Sequence, residues 1–143
     1  MRDDARDVMG RCAGLRTRAA ARRITRHYDD ALRPVGLTLG QFVLLVAIEL
    51  SEPDTLTDLA DKLDMDRTTL TRNLRPLEKA GLVETAREEG RRNHGVRLTD
   101  AGRTAFTAAM PLWRAAQSQL ETRLGEDGWS LARQSLETIA RKL

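Results

Sequence analysis

Between Arg67 and Lys79 the sequence R-T-T-L-T-R-N-L-R-P-L-E-K gathers side chains suited to meeting a nucleic acid. An arginine can donate two parallel hydrogen bonds to a guanine edge. A threonine can bond a base edge or a phosphate, or lay its methyl on thymine. Thr68, Thr69, Thr71, Arg72 and Arg75 are therefore the expected major-groove set, with Arg67 and Lys79 as phosphate clamps. Leu70, Leu74 and Leu77 step by four and three, so a helix here turns them to one side and the cationic and hydroxyl residues to the other. A second basic pair, Arg91 and Arg92, stands in R-E-E-G-R-R-N-H-G between two short apolar segments. The glycines suit a turn, and the arginines suit a phosphate or a minor groove.

These residues need elements to hold them. Val8, Cys12, Leu15 and Ala19 begin an apolar stripe that Ile24, Tyr28, Ala31 and Val35 continue, which predicts one long helix from Val8 to Val35 stopped by Gly36. A second helix is expected from about Thr38 to Leu50, then a turn through Ser51, Glu52, Pro53 and Asp54. Thr57 is the expected N-cap of a short helix burying Leu59, Ala60 and Leu63, and Asp66 that of the helix carrying the basic face. Gly81 should end that helix in a left-handed conformation. Strands are expected at Leu82–Ala86 and Val96–Thr99, with Thr99 or Asp100 capping a helix that runs to about Leu124. Pro111 should kink or interrupt its helix, and Pro76 should either bend the helix or stand as a tolerated break near its end. Asp127 should open a final helix with Trp129, Leu131, Leu136, Ile139 and Leu143 free to pack.

Composition bounds the function. The 143 residues are 41% hydrophobic and 31% charged, the balance of a folded globular chain. Net charge is only +3, but its distribution is uneven. Asp54 to Asp66 holds five acids against Lys62, whereas Arg67 to Arg97 holds eight bases against four acids, a gathering that a polyanion could meet. The longest apolar run, Phe42 to Ile48, is far short of the roughly 20 residues that span a membrane. The alternating charges at Arg2, Asp3, Asp4, Arg6 and Asp7 do not fit a secretory signal, so the cytoplasm is expected. A single cysteine, Cys12, excludes an internal disulfide framework. The two histidines, His27 and His94, have no metal-ligand spacing, and neither a nucleophile motif nor a phosphate loop is present. No catalytic residue, cofactor or metal is expected, and the chain reads as a non-enzyme.

Taken in order, G-L-T-L-G-Q-F at Gly36 to Phe42, L-A-D-K-L-D-M-D-R-T-T-L-T-R-N-L at Leu59 to Leu74, L-E-K-A-G-L-V at Leu77 to Val83 and the R-R…L-T-D-A-G-R exit at Arg91 to Arg103 resemble the MarR (multiple-antibiotic-resistance regulator) family over nearly the whole chain. The resemblance implies a mainly α fold with a small β-hairpin. A winged helix-turn-helix lobe (37–104) would sit between an N-terminal (1–36) and C-terminal (105–143) set of intertwined dimerisation helices. It further implies a homodimeric repressor of a palindromic operator, released by a small aromatic or phenolic ligand. The ligand site would lie between the dimer helices and the lobe, where Arg16, Arg23, His27, Phe42 and Trp113 are candidates by position and chemistry. Peroxide-sensing members carry a reactive cysteine on the first helix, so Cys12 is the redox candidate, although a buried thiol is also a plain small hydrophobe. The family's wing arginine commonly follows an acid by two positions; if that arginine is Arg92, the acidic place is held by Gly90, with Glu89 beside it. From another class, a winged-helix adaptor without DNA binding would have lost the basic face that Arg67 to Lys79 keeps.

Overall fold

The computed structural model describes residues 1–51, 55–87 and 94–143, and its element order is that of a winged helix-turn-helix protein. Helices α1 (Arg2–Arg11) and α2 (Ala13–Leu32) lead through a 3-10 turn (Arg33–Val35) into α3 (Leu39–Ser51). Then come α4 (Leu56–Lys62), α5 (Arg67–Lys79), strands β1 (Val83–Arg87) and β2 (His94–Leu98), and the long helix α6 (Asp100–Lys142). The strands pair antiparallel, with Val83 opposite Leu98, Glu84 opposite Arg97 and Thr85 opposite Val96. Val83, Val96 and Leu98 point into the lobe, while Glu84 and Arg97 form an ion pair of 2.7 Å on the outer face.

One core holds α3, α4, α5 and the hairpin together. Leu44, Leu45, Leu59 and Leu70 are wholly excluded from solvent, and Leu74 and Leu77 nearly so. Each fully buried leucine stabilises the lobe by about 2 kcal/mol through apolar surface removed from water. Phe42 lies beside Phe106 and Trp113, at ring-centre distances of 6.1 and 6.3 Å, so α3 and α6 meet through aromatic faces.

Several expectations change. The N-terminal stripe is divided between two helices, because Cys12 leaves the helical path at ψ 110°. Gly10 and Gly14 flank it, each a weak helix former, and the Arg16 guanidinium donates to Gly10 O at 2.5 Å across the break. The first cap of the helix-turn-helix is Thr55, whose Oγ1 accepts from Asp58 N at 3.0 Å, and Thr57 lies inside the helix. Pro111 leaves the dihedrals of α6 helical, and α5 likewise continues through Pro76 to Lys79. Pro76 gives no N–H to Arg72 O, but both residues are exposed and water can take that bond. The interruption of α6 at Gly125, with φ 72° and ψ 164°, agrees with the expected end at about Leu124 and restart at Asp127.

Candidate nucleic-acid interface

Helix α5 is fixed at both ends by bonds that leave its outer face untouched. At its start, Asp66 caps the helix by accepting from Thr69 N at 2.8 Å and from the Thr69 hydroxyl at 2.7 Å. That hydroxyl is the main reason the Asp66 carboxyl sits below the usual carboxylate range; the N–H groups of Thr69 and Thr68 and the charge of Arg72 add to it. At its end, Gly81 adopts φ +69°, Gly81 N donates to Glu78 O and Leu82 N to Leu77 O, each at 2.9 Å. This is the Schellman arrangement, which needs a residue able to take the left-handed region.

The turn before α5 uses the same device with a less suited residue. Asp64 takes φ +50°, Asp64 N donates to Asp61 O at 3.2 Å and Met65 N to Ala60 O at 2.9 Å. Backbone geometry on both sides therefore sets how α5 lies across α4.

Arg67, Thr68, Thr71, Arg72 and Arg75 together line an open groove of about 490 Å³. Arg67, Thr68, Arg72 and Arg75 are exposed, and Leu70, Leu74 and Leu77 are buried on the opposite side, the division that the leucine spacing predicts. The Thr71 hydroxyl donates to Arg67 O at 2.8 Å, which leaves its oxygen lone pair and methyl for a partner. Thr69 is turned to the cap and does not line the groove. Lys79 is exposed at the far end of the helix. Arg91 and Arg92 lie outside the described residues. Of the expected wing tip, Arg87 instead ends β1 while His94 and Gly95 open β2, so the strands reach further than the sequence pattern predicts.

The candidate ligand residues do not form one cluster. Phe42 is buried and shares the aromatic group with half-buried Trp113. His27 donates from Nε2 to Ala116 O at 2.8 Å where α2 crosses α6. Beside it the Tyr28 hydroxyl donates to Gln117 Oε1, and Gln117 Nε2 donates to Glu121 Oε1 at 2.7 Å. Burial pushes the Tyr28 phenol above its ordinary range, and the charge of Glu121 adds to this. Arg16 and Arg23 stand on the exposed side of α2, and Cys12 is half-buried at the helix break. Periodicity marks Tyr28 only as part of a stripe. Its bond to Gln117 joins residues 89 positions apart, which no local pattern announces.

Among the described residues no group of His, Cys, Asp and Glu could hold a metal ion, and no single helix is long and apolar enough to cross a membrane. The family model described as MarR family matches residues 35–92, from the end of the 3-10 turn to the wing. M. tuberculosis transcriptional regulator MosR is 39% identical, with a TM-score of 0.78 over 91% of this chain and 93% of its own. The chain belongs to the MarR family. A second MosR structure, in complex with DNA, is 38% identical with a TM-score of 0.77 and covers 93% of this chain and all of that one. The transcriptional repressor CouR bound to p-coumaroyl-CoA aligns over 95% of this MarR-family chain and 96% of its own, at 27% identity and a TM-score of 0.86. The HTH-type transcriptional regulator SarZ of Staphylococcus epidermidis is 33% identical over 85 residues, which is 59% of this chain. That match spans little more than half, 57%, of the SarZ sequence.

Proposed function

We propose that this chain is a homodimeric, sequence-specific DNA-binding transcriptional regulator, not an enzyme, acting in the cytoplasm. In the finer reading it is a repressor of a palindromic operator, and a small aromatic or phenolic ligand releases it. The observation that carries the proposal is the outer face of α5. Five residues able to bond bases and phosphates share one groove, while the helix is held by other residues. MosR in complex with DNA supports the partner, and CouR with p-coumaroyl-CoA supports a phenolic effector.

In the proposed division of labour, residues 37–104 read DNA and residues 1–36 and 105–143 join two copies. Val8, Met9, Leu131, Leu136 and Ile139 are all exposed in the single chain, an apolar supply that a second copy would cover. Twofold symmetry would then set the two α5 helices about 34–36 Å apart, one turn of duplex. In that arrangement Arg72 and Arg75 read base edges, Thr68 and Thr71 bond edges or phosphates, and Arg67 and Lys79 hold the backbone. Arg91 and Arg92 are proposed to reach the adjacent minor groove.

Fluorescence anisotropy with the DNA upstream of the chain's own gene tests this. Arg72→Ala and Arg75→Ala should each weaken specific binding by about 1–3 kcal/mol, and affinity should fall steeply with salt as phosphate counterions are released. Unchanged binding by the double variant, or a flat salt response, would overturn the assignment of the face. Aromatic carboxylates and their coenzyme A thioesters, titrated into the complex, should include one that lowers affinity at least about tenfold, a coupling within the ordinary allosteric range.

A further inference from the structure

We propose that Thr99 is a positioning residue that locks the DNA-reading lobe to the long helix α6, and so fixes the spacing between the two recognition helices of the dimer. The inference rests on the DNA-binding, dimeric reading above. Thr99 joins three elements at one point. Its hydroxyl donates to Gly81 O, the residue that ends α5, at 2.6 Å. The same oxygen accepts from Gly102 N in the first turn of α6 at 3.0 Å. Its own N–H donates to Leu82 O at 3.1 Å, just before β1. One hydroxyl thus bridges the C-terminal cap of the recognition helix and the N-terminal cap of α6, its proton toward the first and a lone pair toward the second.

The two backbones meet closely at this bridge. A Cβ at Gly102 would lie 1.9 Å from Leu82 O, so the start of α6 lies directly against the peptide that follows α5. A glycine at that place lets the two backbones approach, and the threonine then ties them. Arg103 adds a looser contact to Glu49 of α3, at 3.7 Å between exposed side chains, which contributes little to rigidity. Through Thr99 any rotation of α6, the proposed dimer stalk, is passed to α5 as a rotation of the whole lobe. A dimer with rigid joints accepts one half-site separation. One with loose joints accepts several.

The test compares binding to a set of synthetic operators whose half-sites are separated by the natural spacer or by one to three additional or missing base pairs. Wild type should prefer its best spacer over one displaced by two base pairs by about tenfold or more, since each base pair rotates and shifts the half-site. Thr99→Val keeps the shape and removes both hydroxyl bonds, and should reduce that preference to roughly threefold or less, with the dimer intact by light scattering. Thr99→Ser keeps the hydroxyl and should restore the wild-type preference. A merely structural role would lower the melting temperature of the valine variant and leave the spacer preference in place, and that outcome would overturn the proposal. Should the valine chain fail to fold by circular dichroism, Thr99→Ala takes its place with the same two outcomes. If wild type itself shows no salt-sensitive specific binding to any operator, the DNA-binding reading fails and not the joint.

Discussion

The lobe around α3 to β2 and the two chain ends use apolar residues in opposite ways. In the lobe, Leu44, Leu45, Leu59 and Leu70 are completely buried in one core. At the ends, Val8 is 57%, Leu131 65% and Leu136 54% exposed, on helices of comparable regularity. The lobe closes its core with help from Leu32 of α2 and Phe106 and Ala109 of α6, whereas other residues of the terminal helices form stripes that their own chain does not cover. Under the proposed function the difference separates reading from assembly: one region would hold a face still, the other would recruit a second copy.

The sharpest way to break this comparison is to remove the terminal stripe. Leu131→Asp with Leu136→Asp should convert the dimer to monomer by light scattering and weaken operator binding by about 10²- to 10⁴-fold through lost avidity. The lobe of this variant should still melt cooperatively; a variant that loses all helical signal would place the stripe in the core of the fold. Next in size, Gly102→Ala forces a methyl against Leu82 O and should cost about 2–3 kcal/mol in denaturant unfolding, a defect of the lobe with the dimer retained.

A smaller effect separates the caps of the lobe from its groove. Asp66→Ala should lower the melting temperature by a few degrees at neutral pH. Because the folded carboxyl titrates below its unfolded value, its contribution is present above about pH 4 and is lost as pH falls through the depressed value. The gap between wild type and variant should therefore close on acidification, and a gap that widens would contradict the cap. Smallest of all, Asp64→Gly should stabilise the chain by about 0.5 kcal/mol, since glycine takes the left-handed turn without the side-chain clash that aspartate carries.

Local rules were enough where a single residue controls an element end. Asp66, Gly81 and Thr99 act at the positions their chemistry predicts, and the leucine spacing of α5 names its buried side. Thr57 lies inside the helix, and Thr55 with Asp58 three residues on is the spacing that marks its true start. The break at Cys12 is hidden from periodicity, since one extended residue between two helices leaves the apolar types in place, and only the flanking Gly10 and Gly14 hint at it. Neither proline interrupts its helix: a missing N–H matters little where water can reach the freed carbonyl. Contacts that join distant segments, such as Tyr28 with Gln117 or Thr99 with Gly81, depend on tertiary approach and leave no trace in a window of sequence.

The way α5 is held has a consequence for how such a protein can change over generations. Its cap bonds run through Asp66, Thr69, Gly81 and Thr99, and its packing through Leu70, Leu74 and Leu77. None of the side chains of Arg67, Thr68, Arg72 or Arg75 appears in that framework, and Thr71 touches only the backbone of its own helix. The outer face can therefore be rewritten residue by residue without re-inventing the scaffold beneath it. A duplicated copy could drift to a new target sequence without touching the bonds that hold the helix, a replaceable alphabet mounted on a fixed press.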